Sequence, residues 1–249
     1  VSASVTTAGA ATVSFTAPAN NGGTALTGFT VISSPGGFTC SAAANASSCV
    51  VSGLTNGTAY TFSVVATNEI GDSVASASSS SVTPQSAASA PTTVTATAGD
   101  GQASVAFSGA VTNGSTISNY TVKAYDSNGN EVTGATCTTS TSPCTITGLA
   151  NGSEYTFKVV TNSTVYGAGT TTPSLPSSSS NAIIPATVPD SPSGIEVTAG
   201  TGKISVSWDE PASNGSAITS YTVQAYDNSG SLVVGAICVA NAPAVTCDV

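Results

Sequence analysis

Six cysteines are the residues of this sequence whose type and spacing point most directly to chemistry. They fall into three pairs at matching places: Cys40 and Cys49, Cys137 and Cys144, Cys238 and Cys247. Each pair brackets the connection just before a predicted strand, so local disulfide pairing is the economical assignment, and it implies an oxidising compartment. The alternative is a thiolate metal site. Zinc would need further ligands from another domain or from carboxylates, because the chain has no histidine.

Carboxylates are the other groups that could do chemistry. Asp209 and Glu210 are adjacent, and paired carboxylates can perform acid–base catalysis when they lie across a substrate. Neighbours along a strand point to opposite faces, so we expect that these two do not converge. Residues 126–131 place oxygen ligands at alternate positions, as calcium loops do, but the glycine is misplaced and a hairpin turn is the simpler interpretation. We therefore predict no catalytic, cofactor-binding or metal-binding residues and no enzymatic activity.

The composition restricts the function classes further. The 249 residues include only 3 Lys+Arg against 12 Asp+Glu, with a net charge of -9 and no histidine. Without histidine, His-based triads and most catalytic metal sites are excluded. Nucleic acids and anionic membrane surfaces both need clustered basic residues, so we expect neither as a partner. Gly, Pro, Asn and Ser interrupt every apolar stretch, and we expect no direct membrane insertion.

The elements that must position these residues come from an internal repeat. Three similar segments lie at domain-sized spacing, at residues 11–15, 103–107 and 203–208. In each, apolar residues alternate with Ser and Thr, which is the period of a half-buried strand. Asn-Gly turns separate the strands, and no segment has helical periodicity. The sequence predicts an all-β chain of three tandem domains, at residues 1–85, 86–188 and 189–249.

Serine and proline accumulate where we predict the linkers, around Ser78 to Pro91 and around Thr187 to Pro192. The tract from Gly167 to Ser180 has a similar composition. It is interpreted as an extended loop between the last two strands of the second domain. Long loops carry function in many β-sandwiches, and Tyr166, an aromatic residue at this loop, is a candidate contact for a ligand such as a glycan.

The recurring aromatic positions resemble those of fibronectin type III domains, in the disulfide-bearing form of bacterial extracellular or surface proteins. The resemblance covers essentially the whole chain. It implies tandem seven-stranded Ig-like β-sandwiches, with a tyrosine corner where Leu54 precedes Tyr60 and Leu149 precedes Tyr155. The predicted structural core comprises Phe15, Leu54, Tyr60, Phe107, Leu149, Tyr155 and Trp208. The adhesive Arg-Gly-Asp loop of some members cannot occur, because the chain has no arginine.

The third domain corresponds to only part of that pattern. Its last residues, Cys247 to Val249, match the start of the fifth strand, so we expect an incomplete sandwich at the C-terminus. Two explanations are open: a window taken from a longer chain, or completion by strands from a neighbouring subunit. An incomplete sandwich would expose core residues and an unpaired strand edge.

The predicted function is that of structural or adhesive modules in a secreted or cell-surface protein, as part of a stalk, adhesin or extracellular filament. The alternative is that the domains are spacers of a secreted carbohydrate-active enzyme whose catalytic domain lies outside this chain. We expect self-association or binding to other surface proteins, because little charge repulsion opposes close packing. Glycans are a further candidate partner.

Overall fold

The computed structural model describes residues 1–166 and 171–249, and every regular element in those two ranges is a β-strand. No helix in the described part of the chain could cross a membrane. The alternation of apolar residues with Ser and Thr produces strands with one buried face, as in β8, where Ala103, Val105 and Phe107 are buried and the residues between them are exposed. The strands form three sandwich units in chain order.

The first unit contains two three-stranded antiparallel sheets. One has the order β1-β2-β5 and the other β4-β3-β6. The strands are β1 (Ser2–Thr7), β2 (Ala10–Ser14), β3 (Leu26–Ser34), β4 (Thr39–Ala43), β5 (Ser48–Ser52) and β6 (Thr61–Asn68). A segment after β6 continues the second sheet through Val82, which forms a bridge to Tyr60.

The second unit repeats this arrangement with one more regular strand. Its sheets have the orders β11-β8-β7 and β10-β9-β12-β13. The strands are β7 (Thr93–Gly99), β8 (Gln102–Ser108), β9 (Thr116–Asp126), β10 (Glu131–Thr139), β11 (Cys144–Thr147), β12 (Tyr155–Thr164) and β13 (Thr171–Pro173). This unit is a seven-stranded β-sandwich.

The third unit contains five strands in sheets β14-β15-β18 and β16-β17. They are β14 (Ser193–Gly200), β15 (Lys203–Asp209), β16 (Ser220–Tyr226), β17 (Leu232–Asn241) and β18 (Thr246–Asp248). In the first unit β3 pairs with β4 on one edge and with β6 on the other. In the second unit β9 likewise pairs with β10 and with β12. Their counterpart β16 pairs only with β17 within residues 189–249.

Separate hydrophobic cores fill the units. In the second, Val105, Val122, Phe157 and Val159 are fully buried between the two sheets. The core of the first unit is built on Val13, Val31 and Phe62 in the same manner. The core of the third is much smaller, and its buried residues are Trp208, Tyr221, Ala240 and Cys247.

Candidate functional site: disulfides, serine ladders and an open sheet face

The six cysteines form three disulfides, each within one unit. Cys40 bonds Cys49, Cys137 bonds Cys144, and Cys238 bonds Cys247, with Cα–Cα distances of 6.2, 6.3 and 6.2 Å. The bonded strands are β4 and β5, β10 and β11, β17 and β18, and in every case they belong to different sheets. Each disulfide therefore joins the two layers of a sandwich. Their sulfur atoms are bonded to one another, so the thiolate alternative does not describe these cysteines.

The aromatic and leucine residues expected in the core all lie in the interior. The structure buries each of Phe15, Leu54, Tyr60, Phe107, Leu149, Tyr155 and Trp208. The Tyr60 hydroxyl accepts a hydrogen bond from the Thr55 N–H, and the Tyr155 hydroxyl accepts one from the Ala150 N–H, both at 3.1 Å. These bonds link each ring to the turn before its own strand, which is the geometry of a tyrosine corner.

Serines at every third position bond the segment after the last regular strand of each of the first two units to the neighbouring strand. In the first unit, Ser73, Ser76 and Ser79 donate their N–H groups to carbonyls of β6, those of Ala66, Val64 and Phe62. The serine Oγ atoms accept hydrogen bonds from the N–H groups of the same three residues, at 3.0 to 3.1 Å. Each serine thus satisfies both backbone groups of one strand residue. We call this set a serine ladder.

The second unit has the same ladder against β12. Ser174, Ser177 and Ser180 bond both backbone groups of Thr161, Val159 and Phe157. Residues 171–180 are therefore a strand and a ladder that complete the sheet, and the expected extended loop is wrong for them. Residues 167–170 of that tract lie outside the described residues. Ser79 likewise belongs to the first sandwich, although it falls in the tract that composition assigned to a linker.

The ladder predicts a stability effect that distinguishes neighbouring serines. We expect Ser177→Ala to destabilise the second unit by about 1–3 kcal/mol, because the Val159 N–H would remain buried without an acceptor. Ser178 is exposed, and Ser178→Ala should change stability by no more than about 0.5 kcal/mol. Urea unfolding monitored by far-UV circular dichroism measures both changes in the free energy of unfolding. Equal effects of the two substitutions would contradict the role of the ladder.

Comparison with known proteins identifies the first two units. The family model described as "Fibronectin type III domain" matches residues 1–82 and 89–180, which is most of the chain. The chain belongs to the fibronectin type III family. No curated protein matches it in sequence. Among solved structures, the crystal structure of chicken CNTN1 FN1-FN3 domains is similar at 14% identity and a TM-score of 0.48, covering 98% of this chain and 84% of that chain.

Two of the acidic residues, Asp126 and Asp227, hold hairpin turns. Asp126 Oδ1 accepts the N–H groups of Asn130 and Asn128, both at 2.9 Å, and these bonds lower the pKa of Asp126. Asp227 makes the corresponding turn in the third unit, where the Ser229 hydroxyl is the main cause of its lowered pKa. This is the hairpin-turn interpretation of the sequence pattern. Within the described residues, no group of three or more acidic or cysteine residues is placed to hold a metal ion.

Tyr166 contacts the segment that connects the first two domains. Its N–H donates to Gln85 Oε1 at 2.6 Å, its hydroxyl accepts the Gln85 N–H at 2.9 Å, and it donates to the Gln85 carbonyl at 3.1 Å. Its backbone is left-handed, with φ of 52°, a conformation that costs a non-glycine residue about 1 kcal/mol or more. Sequence reasoning singled out Tyr166 but not Gln85. Glycan contact at Tyr166 stays a prediction, and its hydroxyl is already engaged.

The third domain has an open apolar face. Ile195 and Val197 of β14 are 64% and 63% exposed. Ala96, the counterpart of Val197 in the second domain, is only 8% exposed. These residues line an open groove of about 760 Å³ together with Ile204, Val206, Trp208 and Tyr221. Trp208 Nε1 and the Tyr221 hydroxyl are buried there and have no hydrogen-bond partner among the described residues. Burial also raises the pKa of Tyr221.

Proposed function

We propose that this chain consists of structural and adhesive modules of a bacterial secreted or cell-surface protein, as part of a stalk, adhesin or extracellular filament. The disulfide between the two sheets of each unit carries the proposal. Such bonds form and persist in oxidising compartments, and they keep small domains folded where no chaperone can rescue them. Family membership supports the same role, because fibronectin type III domains are generally non-catalytic modules.

We further propose that the module associates with a second copy of this chain. The open groove of the third domain supports this proposal, because exposed apolar faces of this kind mark association sites. Within the residues that the structure describes, the outer edge of β16 pairs with no other strand, and such an edge can accept a strand from a partner. The surface offers little opposition, since only 6% of residues are charged.

Immunogold labelling of intact source cells, combined with sedimentation of the purified chain, tests the function. We expect gold on extended surface structures without permeabilisation, and oligomers whose population grows with protein concentration. Labelling only after permeabilisation would overturn the surface assignment. A catalytic domain in the same open reading frame, together with a monomeric chain, would instead establish the role of an enzyme spacer.

A matched pair of variants distinguishes association through the groove from nonspecific hydrophobic association. Val197→Asp places a charge in the groove and should abolish the oligomers, because an unpaired carboxylate is costly in a buried apolar contact. Val74 is 92% exposed and lies outside the groove, so Val74→Asp should leave the oligomers unchanged. If both variants associate like the original chain, the groove is not the contact surface.

A further inference from the structure

The segments between domains are hydrogen-bonded along their length to the domain that follows. In the first segment, Ser86 and Ser89 donate their N–H groups to the carbonyls of Asn113 and Val111, at 3.1 and 2.8 Å. The Asn113 side chain returns a bond to the Ala87 carbonyl at 3.0 Å. The serine- and proline-rich composition that predicts a linker therefore belongs to a segment paired with a turn of the next domain.

The second segment repeats these bonds at positions 101 residues further along the chain. The backbone N–H groups of Thr187 and Asp190 donate to the carbonyls of Asn214 and Ala212, both at 3.0 Å. The Asn214 side chain donates to the Val188 carbonyl at 3.0 Å, as Asn113 does to Ala87. Asn113 and Asn214 also share a left-handed backbone, with φ of 50° and 51°. Two junctions of different sequence thus have the same hydrogen-bond pattern.

An Asn-Gly turn of the preceding domain is hydrogen-bonded to the segment at each junction. The Gly57 N–H donates to the Pro84 carbonyl at 2.8 Å, and the Gly152 N–H donates to the Pro185 carbonyl at 2.9 Å. The asparagine before each glycine is held by its own domain, because its side-chain oxygen accepts the N–H of Gly9 or Gly101, at 2.8 and 2.9 Å. The turn is therefore anchored on one side and bonded to the segment on the other.

Two glycines of the following domains, Gly114 and Gly215, leave room for the close approach of the turn and the segment at each junction. A Cβ atom on Gly114 would lie 2.9 Å from the Pro84 carbonyl oxygen and 3.0 Å from Gly57 Cα. A Cβ atom on Gly215 would lie 2.5 Å from the Pro185 carbonyl oxygen and 2.6 Å from the Gly152 nitrogen. Gly23 occupies the corresponding turn of the first domain, and a Cβ atom there would meet nothing within 4 Å. The close approach is thus specific to the two junctions.

We propose that these paired Asn-Gly turns form a recurring interface that holds successive domains in one fixed orientation. The partner of each turn is the next fibronectin type III domain with its bonded segment. The result is a chain that behaves as a rigid rod with the same rotation at each junction. Contacts particular to each junction add to it: Tyr166 with Gln85 at the first, and at the second Thr187, whose hydroxyl donates to Asp100 at 2.9 Å.

Hydrogen exchange of the junction amides tests this interface in the whole chain. We expect protected amides at Gly57 and Ser86 in the first junction and at Gly152 and Thr187 in the second. Gly114→Ala should accelerate exchange of the first pair at least about tenfold and leave the second pair unchanged, because opening of one junction is a local event. Gly215→Ala should have the reverse effect.

Gly23→Ala is the matched control. All three glycines have φ between +81° and +95°, so the backbone strain of alanine is shared, and only the contact differs. Protection of the Val159 amide shows whether the second domain remains folded in Gly114→Ala. If it does not, Gly57→Ala disturbs the contact from the other side. Unprotected junction amides in the original chain, or equal effects of Gly23→Ala and Gly114→Ala, would overturn the interface. The test does not depend on cell-surface location or self-association.

Discussion

Phe157→Ala is expected to destabilise the second domain by about 3–5 kcal/mol, which is the cost of removing a large aromatic side chain from a closed core. The Phe157 side chain is fully buried and lies between the two sheets beside Val122 and Val159. Val105 and Ile146 of the opposite sheet belong to the same core, so side chains from both layers line it and the structure can collapse only partly into the cavity. Urea unfolding monitored by circular dichroism should show the transition of the second domain moving to lower denaturant.

Lys158→Ala is the control for this substitution. Lys158 follows Phe157 on β12 but is only half-buried, and its ammonium group lies 4.7 Å from the centre of the Tyr125 ring. Loss of a cation–π contact at such a site costs about 0.5–1 kcal/mol. A Phe157→Ala loss no larger than that of Lys158→Ala would contradict the closed core.

Removal of the second disulfide is the other change with a large expected effect. Cys137→Ala combined with Cys144→Ala should lower the free energy of unfolding by about 2–3 kcal/mol, because the unfolded chain regains the entropy of a short closed loop. Cys144 is buried, so alanine is preferred to serine, whose hydroxyl would lack a partner. Calorimetry with and without reductant measures the change.

The reductant provides an internal control. Reduction should lower the melting temperature of the original chain, and in the double variant the second domain should no longer respond to reductant, whereas the other two should. If the three disulfides contribute equally to stability, the decreases in melting temperature caused by reductant, summed over the three domains, will in the double variant be about two thirds of the sum in the original chain. A second domain whose melting is unaffected by the double substitution would contradict the role of the bond between β10 and β11.

Strand alternation and turn chemistry predicted most of the fold from sequence. Val105 and Phe107 were assigned to the buried face of a strand because residues of one type recur at a spacing of two, and the structure places them there. The cysteine pairs were assigned correctly for a similar reason, since short sequence separation favours local bonding. The all-β fold was predicted from the alternation, and family membership from the recurring aromatic positions and the Leu–Tyr spacing of the tyrosine corner.

The serine ladders and junctions could not be predicted in the same way. The ladder serines lie at a spacing of three, which matches neither a regular strand nor a helix, so composition alone assigned Ser79 to a linker and Ser177 to a loop. The ladder bonds depend on β6 and β12, which are distant in sequence. The junctions left a detectable signal in the shared spacing from Pro84 to Asn113 and from Pro185 to Asn214, but the partners Gly57 and Gly152 follow no local rule.

The serine ladder also has a consequence for how many copies of this protein can coexist at high concentration. In each ladder three residues pass for every two of the adjoining strand, so the outer side of the segment does not present the evenly spaced N–H and C=O groups that another sheet needs for pairing. The irregular outer segment therefore disfavours edge-to-edge pairing of the first two domains.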